Sequence, residues 1–170
     1  MSVKNVFGAK KESGQLVSND EITIIDFDFN EDKLLLYYDK FMEHGEKYSD
    51  PRGTLDNWKV ARNIEFDYAS ELCKEFDING SPRFYELKAG TTLPMHVDYG
   101  TECSINFLIG DSKPAPVQFE SGNEYFYKCC LLNTQKTHGV TNVDEDRMLF
   151  KLSIFDETYE QVRSKILERV

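Results

Sequence analysis

The chain of 170 residues contains no long apolar run, no excess of positive charge and only three histidines. A membrane-spanning helix needs about 20 apolar residues, and no stretch of the sequence approaches that length. The lysines near the N-terminus precede no apolar segment of the kind that secretory signals carry. A net charge of -10 gives a surface that repels phosphate backbones and anionic lipid. We therefore expect a soluble cytoplasmic protein that binds neither nucleic acid nor membranes.

Cysteine is also scarce, with four residues that form no C-x-x-C motif. They are Cys73, Cys103, Cys129 and Cys130. An adjacent pair and two distant residues fit neither a zinc site nor a disulfide framework. Because most of them are set among apolar residues, we expect free thiols that act as small buried hydrophobes.

The composition provides enough apolar material for one globular domain, with 40% hydrophobic and 13% aromatic residues. A domain of this length buries about 70% of the surface that its unfolded chain exposes, so it needs no structural metal or disulfide. No repeat, low-complexity tract or linker divides the chain, but its local periodicity changes near residue 80. We expect one domain with a support region over residues 1–80, a β-rich core over 81–155 and a helix over 156–170.

The support region mixes strand, helix and loop patterns. Its predicted elements are a strand over 21–29, a helix over 31–43 that Asn30 caps, and a helix over 67–76 that Asn79 and Gly80 end. Between the two helices, the glycines and proline of residues 44–63 predict a loop or short turns around Trp58.

Residues from 81 onward show short β-like runs separated by turn residues, at intervals typical of an all-β sandwich or barrel. The predicted strands cover residues 83–87, 93–98, 103–109, 117–120, 125–128, 129–133, 137–141 and 148–155. Eight antiparallel strands in such a short stretch favour a jelly roll, in which two sheets close over a narrow pocket. The N-terminal strand and helices would then pack on one sheet, and the predicted fold is mainly β, of the α+β type.

Two of the three histidines fall in predicted strands of the core. His96 and Asp98 form an H-x-D sequence, and alternate residues of a strand point to the same face. His138 lies in the seventh of the predicted strands and can supply a second imidazole. Two imidazoles and one carboxylate on one side of a metal, with the other positions open, form the facial triad of non-haem iron(II) oxygenases. The alternative is a structural pair, because a strand histidine often bonds to a nearby aspartate. His44 is expected at a helix end or on the surface.

Arg147 follows His138 by nine residues, at the start of the last predicted strand. In an antiparallel hairpin with a turn over 143–146, it can lie alongside the strand that carries His138 and point into the same cavity. A buried guanidinium needs an anion, and its planar fork suits a carboxylate. The alternative is a surface pair with the acidic residues of the turn.

Three segments together resemble the iron(II) and 2-oxoglutarate-dependent oxygenases: LPMHVD (93–98), NTQKTHGVTN (133–142) and RMLF (147–150). The resemblance covers residues 81–155 and is greatest to the aspartyl/asparaginyl β-hydroxylase and proline hydroxylase-like group. Within that group the H-x-D branch, which includes free-proline hydroxylases, is the nearer analogue, because the aspartyl/asparaginyl hydroxylases proper lack an acidic ligand where this chain has Asp98. The R-x-S motif of another branch is also absent, since Leu149 stands two places after Arg147.

The resemblance implies a double-stranded β-helix, a cupin-like jelly roll, in which His96, Asp98 and His138 bind iron(II). It also implies that Arg147 holds the distal carboxylate of 2-oxoglutarate. Polar partners of this cosubstrate are expected at Tyr85, Ser104 and Asn106. The residues themselves leave other roles open, with Tyr85 as a core aromatic and Asn106 as a turn or edge residue.

The implied function is a dioxygenase that hydroxylates an amino acid, a peptide side chain or another small substrate, with ascorbate as reductant. No catalytic side chain is expected beyond the metal ligands. Tyr99, Trp58 and Arg62 are candidates for the substrate rim, although a lone Trp in a small domain usually packs. The alternative function is a cupin-like domain that binds a metal or ligand without 2-oxoglutarate turnover, and such a domain has no need for an inward Arg147. The oligomeric state is left open.

Overall fold

A computed structural model of the protein describes residues 11–12, 15–47, 58–110, 115–140 and 144–169. Its strands are β1 Lys11–Glu12, β2 Gln15–Leu16, β3 Ile22–Ile24, β4 Glu46–Lys47, β5 Trp58–Ala61, β6 Gly80–Leu87, β7 Leu93–His96, β8 Cys103–Ile109, β9 Val117–Phe119, β10 Glu124–Tyr125, β11 Cys129–Leu132, β12 His138–Val140 and β13 Arg147–Ile154. Its helices are α1 Glu31–Met42, α2 Asp67–Phe76 and α3 Tyr159–Leu167. None of these three helices has the length and apolar character needed to cross a membrane.

Two antiparallel sheets form the body of the fold. The larger sheet has seven strands in the order β3-β11-β8-β13-β6-β5-β4, and the smaller has four in the order β10-β9-β12-β7. Strands β6 to β13 contribute to both sheets, as in a double-stranded β-helix, or jelly roll. The predicted fold is therefore confirmed, and the β-helix begins where the sequence periodicity changes.

The central strand of the larger sheet separates a packed core from a cavity. On β13, Phe150, Leu152 and Ile154 are fully buried on one face. Arg147 and Lys151 point to the opposite face and line the cavity between the two sheets. Successive side chains of a strand point to opposite faces, so one strand supplies both environments.

Helices α1 and α2 cover the outer face of the larger sheet, as the sequence pattern predicts. Both insert apolar side chains into a buried cluster with three phenylalanines of neighbouring strands. The Phe150 ring centroid lies 5.0 Å from that of Phe84 and 5.6 Å from that of Phe107. Full burial of each phenylalanine contributes about 1.5–3 kcal/mol. This cluster packs the helices against the larger sheet, on the side away from the cavity.

The C-terminal helix is also confirmed. The Gln161 backbone N–H donates a hydrogen bond to the Thr158 hydroxyl, and the Thr158 backbone N–H donates one to the Gln161 side-chain oxygen. These two reciprocal bonds form a capping box at the start of α3. Tyr159, Val162 and Ile166 form the buried face of α3 and join the same apolar cluster.

Part of the predicted loop over residues 44–63 is a pair of strands. β4 and β5 extend the larger sheet, and β5 pairs with β6 so that Trp58 lies opposite Leu87. Such short strands show no clear alternation of apolar and polar residues in the sequence, because glycine and proline residues stand close to them. They are stabilised by pairing, β4 with β5 and β5 with β6. Residues 48–57 of this region lie outside the described part of the chain.

Two further boundaries differ from the expected ones. The strand predicted over 21–29 is limited to β3, which pairs with β11 at the edge of the larger sheet instead of packing on its face. Helix α2 has the predicted bounds, but Asp77 ends it by adopting a left-handed conformation with φ of 53°. Gly80 instead begins β6, where an added Cβ would lie 3.0 Å from Leu152 Cβ.

The cysteine prediction is confirmed. All four cysteines are free, and Cys103, Cys129 and Cys130 are buried. Burial raises the pKa of the Cys103 thiol to about 12, with nearby carboxylates adding to the effect. Its thiol is therefore protonated at neutral pH and unreactive.

Candidate metal centre

Two histidines on neighbouring strands of the smaller sheet face each other. His96 ends β7, His138 begins β12, and the two are directly opposite in the antiparallel register. Opposed residues have Cβ atoms about 5 Å apart, and these imidazole centroids are 4.5 Å apart. Gly139 permits the close approach of the strands, because an added Cβ would lie 2.7 Å from the carbonyl oxygen of Leu93.

Asp98 reaches the same point from just beyond β7. The strand predicted over 93–98 ends at His96, because the Asp98 backbone N–H turns away to donate to the Thr134 carbonyl. The Asp98 side chain nevertheless approaches both histidines, with Oδ1 3.0 Å from His96 Nε2 and 3.9 Å from His138 Nε2. The ligand atoms of the three residues lie within 4.8 Å of one another.

Backbone carbonyls orient both imidazole rings. The Nδ1 atom of His96 is 2.7 Å from the Pro94 oxygen, and that of His138 is 2.7 Å from the Lys136 oxygen. A carbonyl only accepts, so each Nδ1 carries the hydrogen and the Nε2 of a neutral ring presents a lone pair. Two nitrogen lone pairs and a carboxylate oxygen then face one another, and such an arrangement of acceptors suits a bound cation.

The electrostatics of the site favour the forms that bind metals. Burial lowers the pKa of His138 to about 4, although the Asp98 charge opposes this shift. Burial alone raises the Asp98 pKa, but the Lys151 ammonium outweighs it and holds that pKa well below its usual range. His138 is therefore neutral and Asp98 ionised at neutral pH. This donor set, on one side of an accessible cavity, fits an iron(II) ion with open positions.

Lys151 contacts the same carboxylate from the larger sheet. Its Nζ lies 2.8 Å from Asp98 Oδ2 and 5.7 Å from the centre of the Tyr85 ring. Burial lowers the pKa of Lys151, but the Asp98 charge raises it by more, so the side chain is an ammonium. Sequence reasoning missed this residue. The period of two along the last strand could have found it, because Lys151 shares a strand face with Arg147.

Arg147 is buried at the start of β13, with 8% of its surface exposed. Its Nη1 donates to the Ala115 carbonyl at 2.8 Å, and its Nη2 donates to the Tyr127 hydroxyl at 3.0 Å. The side chain points into the cavity and not toward the exposed acidic residues 144–146. A guanidinium has five N–H donors, so these two bonds leave it able to bind an anion.

A chain of polar side chains runs from Arg147 into the larger sheet. Asn106 Nδ2 donates to the Tyr127 hydroxyl at 3.3 Å, and the Ser104 hydroxyl donates to Asn106 Oδ1 at 2.8 Å. Asn106 lines the cavity, while Ser104 is fully buried. Sequence reasoning missed Tyr127, which lies beyond β10 in a segment predicted as strand. Only the folding of that segment over Arg147 reveals it.

The predicted rim residues line a cavity of about 780 Å³, a size typical of small-molecule sites. Tyr85 and Trp58 form one wall, with ring centroids 5.6 Å apart, so Trp58 both packs and lines the cavity. Arg62 lines the same cavity, and Tyr99 is 95% exposed at its edge. His44 is exposed just beyond α1.

Three solved prolyl hydroxylase structures are similar to this chain. The enzyme of Trichoplax adhaerens, in complex with a hypoxia inducible factor peptide fragment, has a TM-score of 0.57 and 15% identity over 78% of each chain. Prolyl-4-hydroxylase of Pseudomonas putida has a TM-score of 0.54 and 12% identity over 74% of this chain and 85% of that one. Viral collagen prolyl hydroxylase of Paramecium Bursaria Chlorella virus-1, as its 2OG complex, has a TM-score of 0.53 and 9% identity over 74% and 90%. No family model and no curated protein matches the chain. At these identities the similarity concerns the fold.

Proposed function

We propose that the protein is a non-haem iron(II) and 2-oxoglutarate-dependent dioxygenase that hydroxylates an amino acid, a peptide side chain or another small substrate. The proposal depends on one observation, the convergence of His96, Asp98 and His138 at a single point of a cavity. The fold shared with three prolyl hydroxylases supports it, since one was solved with a peptide and another as its 2OG complex. The proposed subgroup is the H-x-D branch that includes free-proline hydroxylases.

His96 Nε2, His138 Nε2 and Asp98 Oδ1 would hold the metal. Iron(II), with 2-oxoglutarate and dioxygen, supplies oxidative decarboxylation to succinate and carbon dioxide, coupled to insertion of one oxygen atom into a C–H bond. The protein keeps Asp98 ionised and His138 neutral, and it orients both imidazole rings. Carbonyls of Pro94 and Lys136 fix the rings, and we propose no catalytic side chain beyond the metal ligands.

Arg147 would bind the distal carboxylate of 2-oxoglutarate. Its fork of N–H donors matches a carboxylate, and burial strengthens the interaction. The Tyr127 hydroxyl and the Ala115 carbonyl fix the plane of the guanidinium. Asn106 positions Tyr127, and Ser104 acts through Asn106.

The substrate would enter between the aromatic wall and the exposed edge. Tyr85 and Trp58 offer an apolar surface, while Tyr99 and Arg62 lie toward solvent. Tyr85 and Trp58 would shield the reacting carbon from water on their side of the cavity. The cavity volume of about 780 Å³ suits a small molecule or one peptide side chain together with the cosubstrate.

Metal binding is the first test of this function. Fe(II) or redox-stable Mn(II), added without oxygen, should raise the melting temperature, because a ligand at 100 times its dissociation constant stabilises by about 2.7 kcal/mol. His96→Ala and Asp98→Ala should each abolish the rise. His44→Ala is the matched control, since His44 is exposed outside the site, and it should retain the rise. If the metal raised the melting temperature of both ligand variants as much as that of wild type, the three residues would not be the metal ligands.

Cosubstrate turnover is the second test. 2-Oxoglutarate should raise the melting temperature further only when metal is present, and Arg147→Met should lose that further rise while it keeps the effect of the metal. With Fe(II), ascorbate and oxygen, succinate should form from 2-oxoglutarate. Metal binding without any 2-oxoglutarate binding would contradict the dioxygenase and support the cupin-like metal-binding alternative.

A further inference from the structure

Arg83 of β6 carries a donor that the described part of the chain does not satisfy. Its Nε is buried and has no hydrogen-bond partner among the described residues. Its guanidinium lies over the face of the Phe155 ring, 5.7 Å from the centroid. Buried donors are almost always bonded, because an unmade hydrogen bond costs the full desolvation of the group. Arg83 lines the cavity, and its terminal nitrogens are neither among the buried atoms nor bonded to a described residue, so a ligand in the cavity can bind them.

The cavity is basic although the protein as a whole is acidic. Arg83, Arg147 and Lys151 line it, and Asp98 is the carboxylate among its described lining residues. The whole chain has a net charge of -10. The Asp98 charge is already compensated by Lys151 at Oδ2, and Oδ1 faces the two histidines. The excess of positive charge in the cavity therefore favours bound anions.

The sheet register places Arg83 directly opposite Lys151. Like charges at opposed positions on one face destabilise a strand pair. Lys151 has Asp98 as its counter-charge, whereas the hydrogen bonds and ion pairs of the described residues give Arg83 no carboxylate. An anion bound at Arg83 would offset the repulsion between the two side chains.

Arg83 and Arg147 lie at different levels of the cavity. Lys151 follows Arg147 by four residues on β13, which is about 13 Å along a strand. Arg83 is level with Lys151, and its neighbour Phe155 is 46% exposed. Arg83 therefore lies toward the open side, about four residues along the sheet from Arg147.

We propose that Arg83 binds a carboxylate of the substrate. The inference rests on the proposed function, in which Arg147 holds 2-oxoglutarate and the substrate occupies the rest of the cavity. A planar guanidinium matches a carboxylate through two parallel hydrogen bonds. Tyr85 is two residues further along the same face of β6 and contacts Trp58, so the apolar part of the substrate rests on this wall. The carboxylate belongs to a free acid or to an acidic residue of a peptide.

Fluorescence of the single tryptophan tests this inference, because Trp58 lines the cavity. The full chain is loaded with Mn(II) and 2-oxoglutarate without oxygen. The probes are free L-α-amino acids beside their amides, and acetyl-Gly-Glu-amide beside acetyl-Gly-Gln-amide. At least one carboxylate should bind about tenfold or more tightly than its neutral counterpart. A preference shown by the free amino acids would identify a free acid as the substrate, and one shown by the glutamyl peptide would identify an acidic residue of a peptide.

The preference should disappear in Arg83→Met and survive in part in Arg83→Lys, which keeps the charge without the fork. Arg163→Met is the matched control, because it removes one positive charge from α3 and should leave the preference unchanged. Retained Mn(II) binding shows that each variant is folded. The inference is overturned if wild type shows no preference for carboxylates, or if the preference survives in Arg83→Met.

The two proposals fail separately. Loss of 2-oxoglutarate binding in Arg83→Met, with binding retained in Arg147→Met, would make Arg83 the cosubstrate clamp and overturn the inference. If wild type binds no 2-oxoglutarate, the proposed function fails. The carboxylate preference, measured with Mn(II) alone, then still decides the role of Arg83.

Discussion

Asp98 divides its two carboxylate oxygens between different partners. Oδ1 faces His96 and His138, while Oδ2 accepts from the Lys151 ammonium. In the metal-free protein Lys151 compensates the buried charge, which is otherwise costly. A metal bound at Oδ1 would find Oδ2 occupied, so the carboxylate would bind through one oxygen. The other coordination positions would remain open for the cosubstrate.

Replacing Lys151 with Met tests this division. The change leaves Asp98 buried without its ammonium, so the metal-free variant should lose about 3–5 kcal/mol of stability. Mn(II) would supply a new counter-charge, so its addition should raise the melting temperature of the variant more than that of wild type. Thermal unfolding with and without Mn(II) measures both effects.

The control for this measurement is Lys128→Met. Lys128 and Glu31 form a pair near the surface, and such pairs contribute about 0–1 kcal/mol. If Lys151→Met were as stable as wild type without metal, the ion pair would have no structural role and the explanation would fail.

Elements with strong local signals were predicted to the residue, and elements that depend on pairing were not. β8 is a seven-residue buried run, and α2 has one apolar stripe, so each is specified by its own sequence. β4 and β5 are short, and their conformation depends on the neighbouring β6. A short strand of this kind is stable only within the sheet, which no local pattern describes.

The residues of the candidate site likewise fall into those that the sequence predicted and those that only the folded chain reveals. The H-x-D sequence and the position of His138 in a later strand predicted three residues that the structure brings together, although Asp98 lies beyond the end of β7 and not within the strand. Tyr127 and Arg83 were missed, since their positions follow from the path of a loop over the cavity and from the register of β6 with β13.

The pairing of β7 with β12 makes Gly139 critical for the metal centre. In Gly139→Ala the added Cβ would meet the Leu93 carbonyl oxygen at 2.7 Å and the Met95 nitrogen at 3.1 Å. The strands must separate, which moves His138 away from His96. Mn(II) affinity, measured by titration calorimetry, should fall about tenfold or more.

Val140→Ala is the matched change on the same strand. It removes buried methyl groups without a backbone clash, so it should lower stability and retain Mn(II) affinity. Equal Mn(II) affinities of wild type and Gly139→Ala would show that the strand approach does not control the site.

Glu21 connects the edge of the larger sheet to the turn between β9 and β10. Its carboxylate accepts from Ser121 at 2.5 Å, Asn123 at 2.8 Å and Tyr125 at 2.9 Å. Burial raises the Glu21 pKa, but these hydrogen bonds outweigh burial and lower it below 4.5. The stability they provide is therefore present above pH 4.5 and lost as the pH falls through the lowered pKa.

Glu21→Gln should cost about 1.5–3 kcal/mol at pH 7, and the difference from wild type should shrink as the pH falls below about 4.5. Urea unfolding at pH 7, 4 and 3 measures it. Asp20→Asn, at an exposed neighbouring position, should change stability by no more than about 0.5 kcal/mol. A difference that grows at low pH would mean that the hydrogen bonds do not stabilise the ionised carboxylate.

The side chains of the candidate site divide between the two sheets of the molecule. His96 and His138 belong to the smaller sheet, and Arg147 and Lys151 belong to the larger. In the metal-free protein the Asp98–Lys151 pair already crosses the gap. Metal alone would add bonds on the smaller sheet, whereas metal with 2-oxoglutarate would connect it to Arg147 and resist separation of the sheets.

Amide hydrogen exchange can distinguish these two steps. Mn(II) alone should slow exchange mainly in β7 and β12, because ligand binding suppresses local opening of the strands that hold it. Addition of 2-oxoglutarate without oxygen should extend protection to the start of β13 and to the end of β6 that pairs with it. Arg147→Met should keep the first effect and lose the second, because its contact with the cosubstrate is removed. Protection of β13 by 2-oxoglutarate in that variant would mean that another residue of the larger sheet holds the cosubstrate.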